Sequence, residues 1–366
     1  TAQATPLLWE VVRGPDPDGG IDRLARILEQ QPRLGQEALA DERLGRALVA
    51  VAGASRALSA TAATDPAALR AAAGSGDIDL AGLQAAADTS QLVRGVHGAL
   101  LSIAGRDLTG SATMPEVGQA LARTADAAAA AALRLAREGS QLPFAVIAMG
   151  KWGGCELNYA SDIDVLFVYD ASDADDAVAA ASDATRIAQQ FLAILGGRSG
   201  GAVAFRVDAN LRPEGRSGPL ARTVESYAAY WERWADTWEM QALIKARVAA
   251  GDHELGTRFL TAAEPYIYPE TLGADAVDSI RSMKTRAEEI AGRAAGDEIK
   301  RSVGGIRDVE FSIQLLQLVH GRVDAGLRHA NTLDALAVLG ESGYVRPDDA
   351  DILTAAYTWL RDVEHR

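Results

Sequence analysis

The sequence holds a single cysteine, Cys155, which rules out an internal disulfide and suits a reducing cytosol. Long apolar runs are missing as well. Nothing approaches the length of a membrane span, and the opening TAQATPLLWEVV lacks both the basic start and the apolar core of a signal peptide. A soluble, cytoplasmic protein is expected. Basic charge is in deficit: 36 Lys and Arg stand against 50 Asp and Glu, a formal net charge of −14. That balance argues against non-specific binding to nucleic acid or to an anionic membrane surface, since both need a basic face. No G-x-x-x-x-G-K-[ST] loop occurs, and no G-x-G-x-x-G follows a strand-like run, so P-loop kinases and dinucleotide-binding dehydrogenases are disfavoured. The five histidines (His97, His253, His320, His329 and His365) show no metal-type spacing.

What is present suffices for a sizeable core. With 366 residues, 48% of them hydrophobic, two or three domains are expected. The missing initiator Met and the helical-looking end AAYTWLRDVEHR suggest a fragment of a longer protein. Residues 1–140 read as a helical segment. GGIDRLARILEQQ and DERLGRALVAVAGASRALSA carry apolar residues at helical spacing, and the Ala-rich run from Pro115 stops at Gly139. The pattern then changes. FAVIAMG (144–150) and DIDVLFVYD (162–170) are strand-like, DADDAVAAASDATRIAQQFLAILGG is a helix, and GAVAFRVDANLRPEG (201–215) reads as a third strand. From Ser226 onward helical patterns return: SYAAYWERWADTWEMQALIKARVAAG, DAVDSIRSMKTRAEEIAGR, IRDVEFSIQLLQLVHG and two more. The expected division is therefore 1–140 helical, 141–225 a small α/β core, and 226–366 a helical bundle packing on that core.

The chemistry is carried by Asp162 and Asp164. Two residues apart in a strand, they share a face, with Cα atoms about 6.6 Å apart from the rise per residue. Carboxylates that close repel unless a cation lies between them, and Mg²⁺ takes such oxygen ligands alongside water and phosphate. Asp208, in AFRVDAN, offers a third carboxylate from a neighbouring strand. Upstream, Gly150 and Lys151 precede Gly153 and Gly154, glycines that would let a phosphate approach the backbone. Downstream, Arg212 and Arg216 could pair with phosphate oxygens. Each part alone reads as turn or surface chemistry; in one unit of about 80 residues they point to phosphoryl or nucleotidyl transfer. The aromatic series at 227, 230, 231, 234 and 238 reads as one helical stripe, for core or interdomain packing in preference to a base-stacking platform. Lys245 and Arg247 at its end are within reach of the cleft.

Several stretches resemble the glutamine synthetase adenylyltransferase/adenylyl-removing family. They are GKWGGCELNYASDID, VDANLRPEGRSGPLART, WADTWEMQALIKAR with the AGD that follows, and GGIRDVEFSIQLLQLVHGR, in order over about 144–321. The departures are Trp152, Cys155 and the run KRSVGGIRD. The resemblance implies an α+β fold: a polymerase-beta-like nucleotidyltransferase core with a small mixed sheet, flanked by large all-helical segments. Family members carry two catalytic units in tandem, and the wording ELNYASDID and GGIRDVEF is closer to the first, deadenylylating one. The implied reaction is phosphorolysis. Inorganic phosphate attacks AMP esterified to a tyrosine of adenylylated glutamine synthetase, giving ADP and the unmodified enzyme. By the same resemblance Asp162, Asp164 and Asp208 would hold Mg²⁺, and Gly150, Lys151, Gly153, Gly154, Ser161, Arg212 and Arg216 would contact nucleotide or phosphate. The PII signalling protein would be a partner of the full-length enzyme. Adenylylation from ATP on the same fold and a non-catalytic docking module remain the alternatives.

Overall fold

The computed structural model describes residues 4–14, 16–74, 78–172, 175–197, 202–270, 299–300 and 302–365. It divides into two compact units, one of residues 1–131 with 200–204, the other of 132–199 with 205–366. The first is helical: α1 (Ala4–Val12), α2 (Pro17–Gln30), α3 (Pro32–Ala40), α4 (Glu42–Ala54), α5 (Arg56–Thr64), α6 (Pro66–Ala73), α7 (Leu80–Gln84), α8 (Thr89–Leu108) and most of α9 (Met114–Arg137). Its short helices follow from capping chemistry. Asp16, Asp41, Ser55, Asp65, Asp79 and Asp88 each accept a backbone N–H at a helix start, and Pro17, Pro32 and Pro66 open α2, α3 and α6. The run DERLGRALVAVAGASRALSA is thus cut at Ser55. Leu24, Ile27, Leu34, Leu48, Val51, Leu69 and Leu101 fill the core between these helices. Among the described residues no helix is long and apolar enough to cross a membrane.

The second unit holds a mixed sheet of β1 (Phe144–Met149), β2 (Ile163–Tyr169), β3 (Val207–Asp208), β4 (Ala221–Arg222) and β5 (Arg247–Gly251). The order is β3-β2-β1-β5, with β4 pairing further along β2. Strand β1 is antiparallel to β2 and β5, whereas β3 and β4 run parallel to β2. Around it lie α10 (Gly150–Gly153), α11 (Ala177–Gly196), α12 (Val224–Arg233), α13 (Thr237–Leu243), α14 (His253–Ile267), α15 (Ile306–His320), α16 (Thr332–Glu341) and α17 (Pro347–His365). The fold is α+β, a small mixed sheet flanked by helices. Ile147, Met149, Leu166 and Val168 pack in one cluster with Tyr227, Trp231 and Phe259. Phe144, Phe167 and Phe191 stack with ring centroids 5.8 and 5.3 Å apart. Strand β2 is therefore covered on both faces, which accounts for its unbroken apolar run. Asp164 is its one residue not fully buried.

Three expectations are corrected. The stretch 201–215 is not a strand throughout; only Val207–Asp208 pairs. The Asp208 carboxylate accepts the Asn210 N–H at 2.7 Å, and Glu214 and Gly215 adopt left-handed φ values of 62° and 54°, so the chain turns away. The run from Ser226 is not one helix either. It breaks after Arg233, restarts at the Asp236/Glu239 capping box, and ends in β5, which extends the sheet beyond residue 222. The aromatic stripe breaks with it: Tyr227 and Trp231 are core, but Trp234 and Trp238 are exposed. The run DAVDSIRSMKTRAEEIAGR lies outside the described residues.

Candidate active site

Strand β1 ends at Met149, and Gly150 turns the chain into α10 with a left-handed φ of 54°. In register, Asp164 lies between Met149 on one side and Asp208 on the other. A Cβ at Gly150 would collide with the Asp164 carboxylate, so glycine here admits that group to the turn. Burial, and then the charges of Asp208 and Asp162, push the Asp164 carboxyl up to about 6, against the pull of Lys300 and Lys151. Asp162, exposed just ahead of β2, accepts from Arg206 Nε at 2.5 Å.

These residues open on a cleft of about 720 Å³, lined by Gly150, Lys151, Ser161, Asp162 and Asp164 and by two helical faces. Trp238, Gln241, Ala242 and Lys245 supply the first, from α13 and the turn after it; Arg307, Glu310, Phe311 and Gln314 of α15 supply the second. Both sets recur at i, i+3, i+4 and i+7, the spacing of one helix side. Gln241 donates to Gln314 at 2.7 Å. Lys300 adds another cation, and Lys151 meets Glu364 of α17 at 2.5 Å. Burial, with the nearby Arg361 charge, lowers the Lys151 pKa to about 8 although Glu364 opposes it.

Beneath the cleft lies a buried ionic network. Lys245 Nζ donates to Glu156, to Thr332 at 3.2 Å and to Glu310 at 3.4 Å. The Tyr357 hydroxyl lies 3.2 Å from Glu156 and 3.1 Å from Glu310, and Arg361 donates to the Glu156 carbonyl at 2.5 Å. Burial works against the Lys245 ammonium, but Glu156 and Glu310 outweigh it and hold its pKa above the usual value. Burial likewise raises Glu310, yet Lys245, Arg361 and Lys151 bring it below the ordinary carboxylate range.

The structure thus brings Gly150, Lys151, Ser161, Asp162 and Asp164 to one cleft and sets Asp208 beside Asp164. Four expected contacts lie elsewhere. A Cβ on Gly153 would collide with the Lys245 carbonyl oxygen and lie 2.8 Å from that of Ala148; one on Gly154 would lie 2.9 Å from the Ala330 oxygen. Both glycines are buried and serve close packing rather than the approach of a ligand. Gly153→Ala is accordingly expected to cost about 1–3 kcal/mol, read as a lower urea midpoint at unchanged slope. Arg212 donates to the carbonyls of Ala209 (2.7 Å) and Gly218 (3.2 Å), and so braces its own loop. Arg216 is exposed on the 3₁₀ turn Gly215–Ser217, away from the cleft lining. Lys245 lines the cleft as expected, whereas Arg247 donates to the Trp152 and Gly153 carbonyls at the end of α10. Lys300, Arg307, Glu310 and Glu364 were not singled out from the sequence, and Trp238 was read there only as part of a packing stripe. The i, i+3, i+4, i+7 face beginning at Arg307 is the signal that could have found the α15 members.

The donor chemistry suits a hard divalent cation, since three carboxylates crowd one end of β2 and Asp164 is penalised for its charge. As the side chains stand, Asp162 is turned to Arg206 and Asp208 to Asn210. Among the described residues no group of three or more His, Cys, Asp or Glu is close enough to hold a metal ion.

Residues 45–262 match the family model described as glutamate-ammonia ligase adenylyltransferase, and residues 278–366 match that of GlnD PII-uridylyltransferase. Curated relatives carry the name bifunctional glutamine synthetase adenylyltransferase/adenylyl-removing enzyme. That of Mycobacterium avium is 41% identical over 98% of this chain and 38% of its own length. That of Mycobacterium leprae is 50% identical over 67% of this chain and 24% of its own length. That of Streptomyces avermitilis is 40% identical over all of this chain and 38% of its own length. The chain thus spans under two fifths of the relatives it matches. With the first model covering well over half of its residues, the chain belongs to the glutamate-ammonia ligase adenylyltransferase family.

Proposed function

We propose that this chain is a deadenylylating nucleotidyltransferase unit that removes AMP from a tyrosine of glutamine synthetase by phosphorolysis. The observation that carries it is one cleft in which Asp162 and Asp164 stand with Lys151, Lys245, Lys300 and Arg307. Such a site can hold two phosphorus centres, whose combined negative charge would otherwise repel. An oxygen of hydrogen phosphate attacks the AMP phosphorus, the bond from phosphorus to the tyrosine oxygen breaks, and the proton of the phosphate passes to that oxygen. ADP and a free tyrosine result. Asp164, Asp208 and Asp162, the last after leaving Arg206, would hold Mg²⁺, which when bound supplies Lewis-acid stabilisation of phosphoryl charge. Lys151, Lys300 and Arg307 orient the phosphate oxygens and disperse charge as it builds. Lys151 is suited to this task because Glu364 can yield it to a stronger anion.

The relatives' printed name supports a second reading, adenylylation from ATP, because it gives them both activities. PII is proposed as a partner of the longer protein, in keeping with the match over 278–366. The test is incubation with adenylylated glutamine synthetase, Mg²⁺ and phosphate. Phosphate-dependent ADP release is the expected outcome. ATP-dependent labelling of unmodified glutamine synthetase without ADP release would replace the first reading by the second.

A further inference from the structure

Trp238 is out of place as a structural residue. Tyr227 and Trp231, earlier in the same stretch, stack on each other and on Phe259 in the core. Trp238 is 41% exposed, and among the described residues no aromatic ring or cation sits against its indole. It nevertheless lines the cleft, one helical turn from Gln241, with Leu211 and Phe311 as the other large apolar groups there. The rest of the lining is dominated by charge. A flat, half-exposed indole in an ionic cleft loses apolar contact until a planar group covers it.

Resting on the nucleotidyl-transfer reading above, we infer that Trp238 is the stacking platform for the nucleobase and sets a preference for purine over pyrimidine. The one cleft holds both Lys151, Lys300 and Asp164, suited to phosphate and its counter-ion, and Trp238 with Phe311, suited to a flat apolar group. A nucleotide combines those same two features, an anionic phosphate and a flat base. Stacking strength grows with ring area, so a purine gains more on the indole than a pyrimidine does. The buried Gln241–Gln314 amide pair lies along the same two helical faces. Its remaining carbonyl and N–H groups are of the type that hydrogen-bonds a base edge.

The test is calorimetric titration of the whole chain with ADP, UDP and pyrophosphate in MgCl₂, before and after Trp238→Ala and Trp238→Phe. Trp238→Ala is expected to weaken ADP binding about ten- to a hundredfold and UDP binding less, and to leave pyrophosphate unchanged. Trp238→Phe should retain ADP binding to within a few-fold. As the side chain is exposed, the melting temperature should not move. Unchanged ADP affinity in Trp238→Ala overturns the inference, even if affinity for glutamine synthetase drops and marks the indole as a protein contact. Equal losses for ADP and pyrophosphate overturn it too, by showing a general disturbance of the cleft. If the unmodified chain binds neither ADP nor pyrophosphate, the nucleotidyl-transfer reading itself has failed and this inference falls with it.

Discussion

Asp164→Asn is expected to reduce the proposed phosphorolysis by about two to three orders of magnitude while making the folded protein more stable. The two effects share one cause. The Asp164 carboxyl is buried against Asp208 and Asp162, and its folded pKa is about 6 against an ordinary value of 3.8. The folded chain therefore holds this proton more tightly than the unfolded chain does. Stability is fully present below about pH 4 and is lost as pH rises through about 6. The difference corresponds to at most about 3 kcal/mol above that range. The asparagine does not titrate, so it should escape this loss. Melting curves of the two proteins should converge near pH 4 and separate by several degrees at pH 7. Excess Mg²⁺ should raise the melting temperature of the unmodified chain more than that of the variant, because the cation relieves a repulsion that Asn has already removed. Asp162→Asn should also lose activity but gain little stability, since its carboxylate is exposed and already paired with Arg206. Phosphorolysis within a few-fold of normal in Asp164→Asn would make this carboxylate structural and defeat the catalytic reading of β2.

How much of this was legible in the sequence depends on separation along the chain. The turn-strand unit was legible because its parts are local. FAVIAMG and DIDVLFVYD are short apolar runs bounded by turn residues, and the two-residue spacing of Asp162 and Asp164 fixes a shared face. The helix interruptions at Ser55 and Asp236 were encoded in caps that a reading by periodicity passes over. Strand β5 was hidden because RVAAG follows a helix after a turn of only three residues, and its pairing with β1 about a hundred residues earlier decides its state. The arginines misled for a related reason. Arg212 and Arg216 are near Asp208 in sequence, but the turn after Asp208 carries them out of the cleft lining. Of the cations that do line it, Lys151 and Lys245 were already placed near it by the sequence, whereas Lys300 and Arg307 come from segments that only the tertiary fold brings to β2. Glu156, Lys245 and Arg361 illustrate the limit: contacts across 89 and 205 residues leave no periodicity to read.

The same buried network carries the largest expected change in stability. Lys245→Met is expected to cost about 3–5 kcal/mol, enough to threaten folding at growth temperature. Methionine matches the length of the aliphatic stem, so the loss is mainly electrostatic rather than a cavity. It removes the cation that Glu156 and Glu310 share and leaves two carboxylates facing each other across the Tyr357 hydroxyl. Arg361 remains, but its guanidinium is already bonded to the Glu156 carbonyl and the Tyr357 hydroxyl. Two tests separate this account from ordinary packing damage. Urea denaturation across pH should show the deficit shrinking on acidification, because the orphaned carboxylates can then bind protons and lose their mutual repulsion. Adding Glu156→Gln to Lys245→Met should recover part of the lost stability, although Glu156→Gln alone is destabilising, since it takes a partner from Lys245. A deficit independent of pH, with the two substitutions simply additive, would assign the loss to side-chain packing and remove the ionic network as the support beneath the cleft.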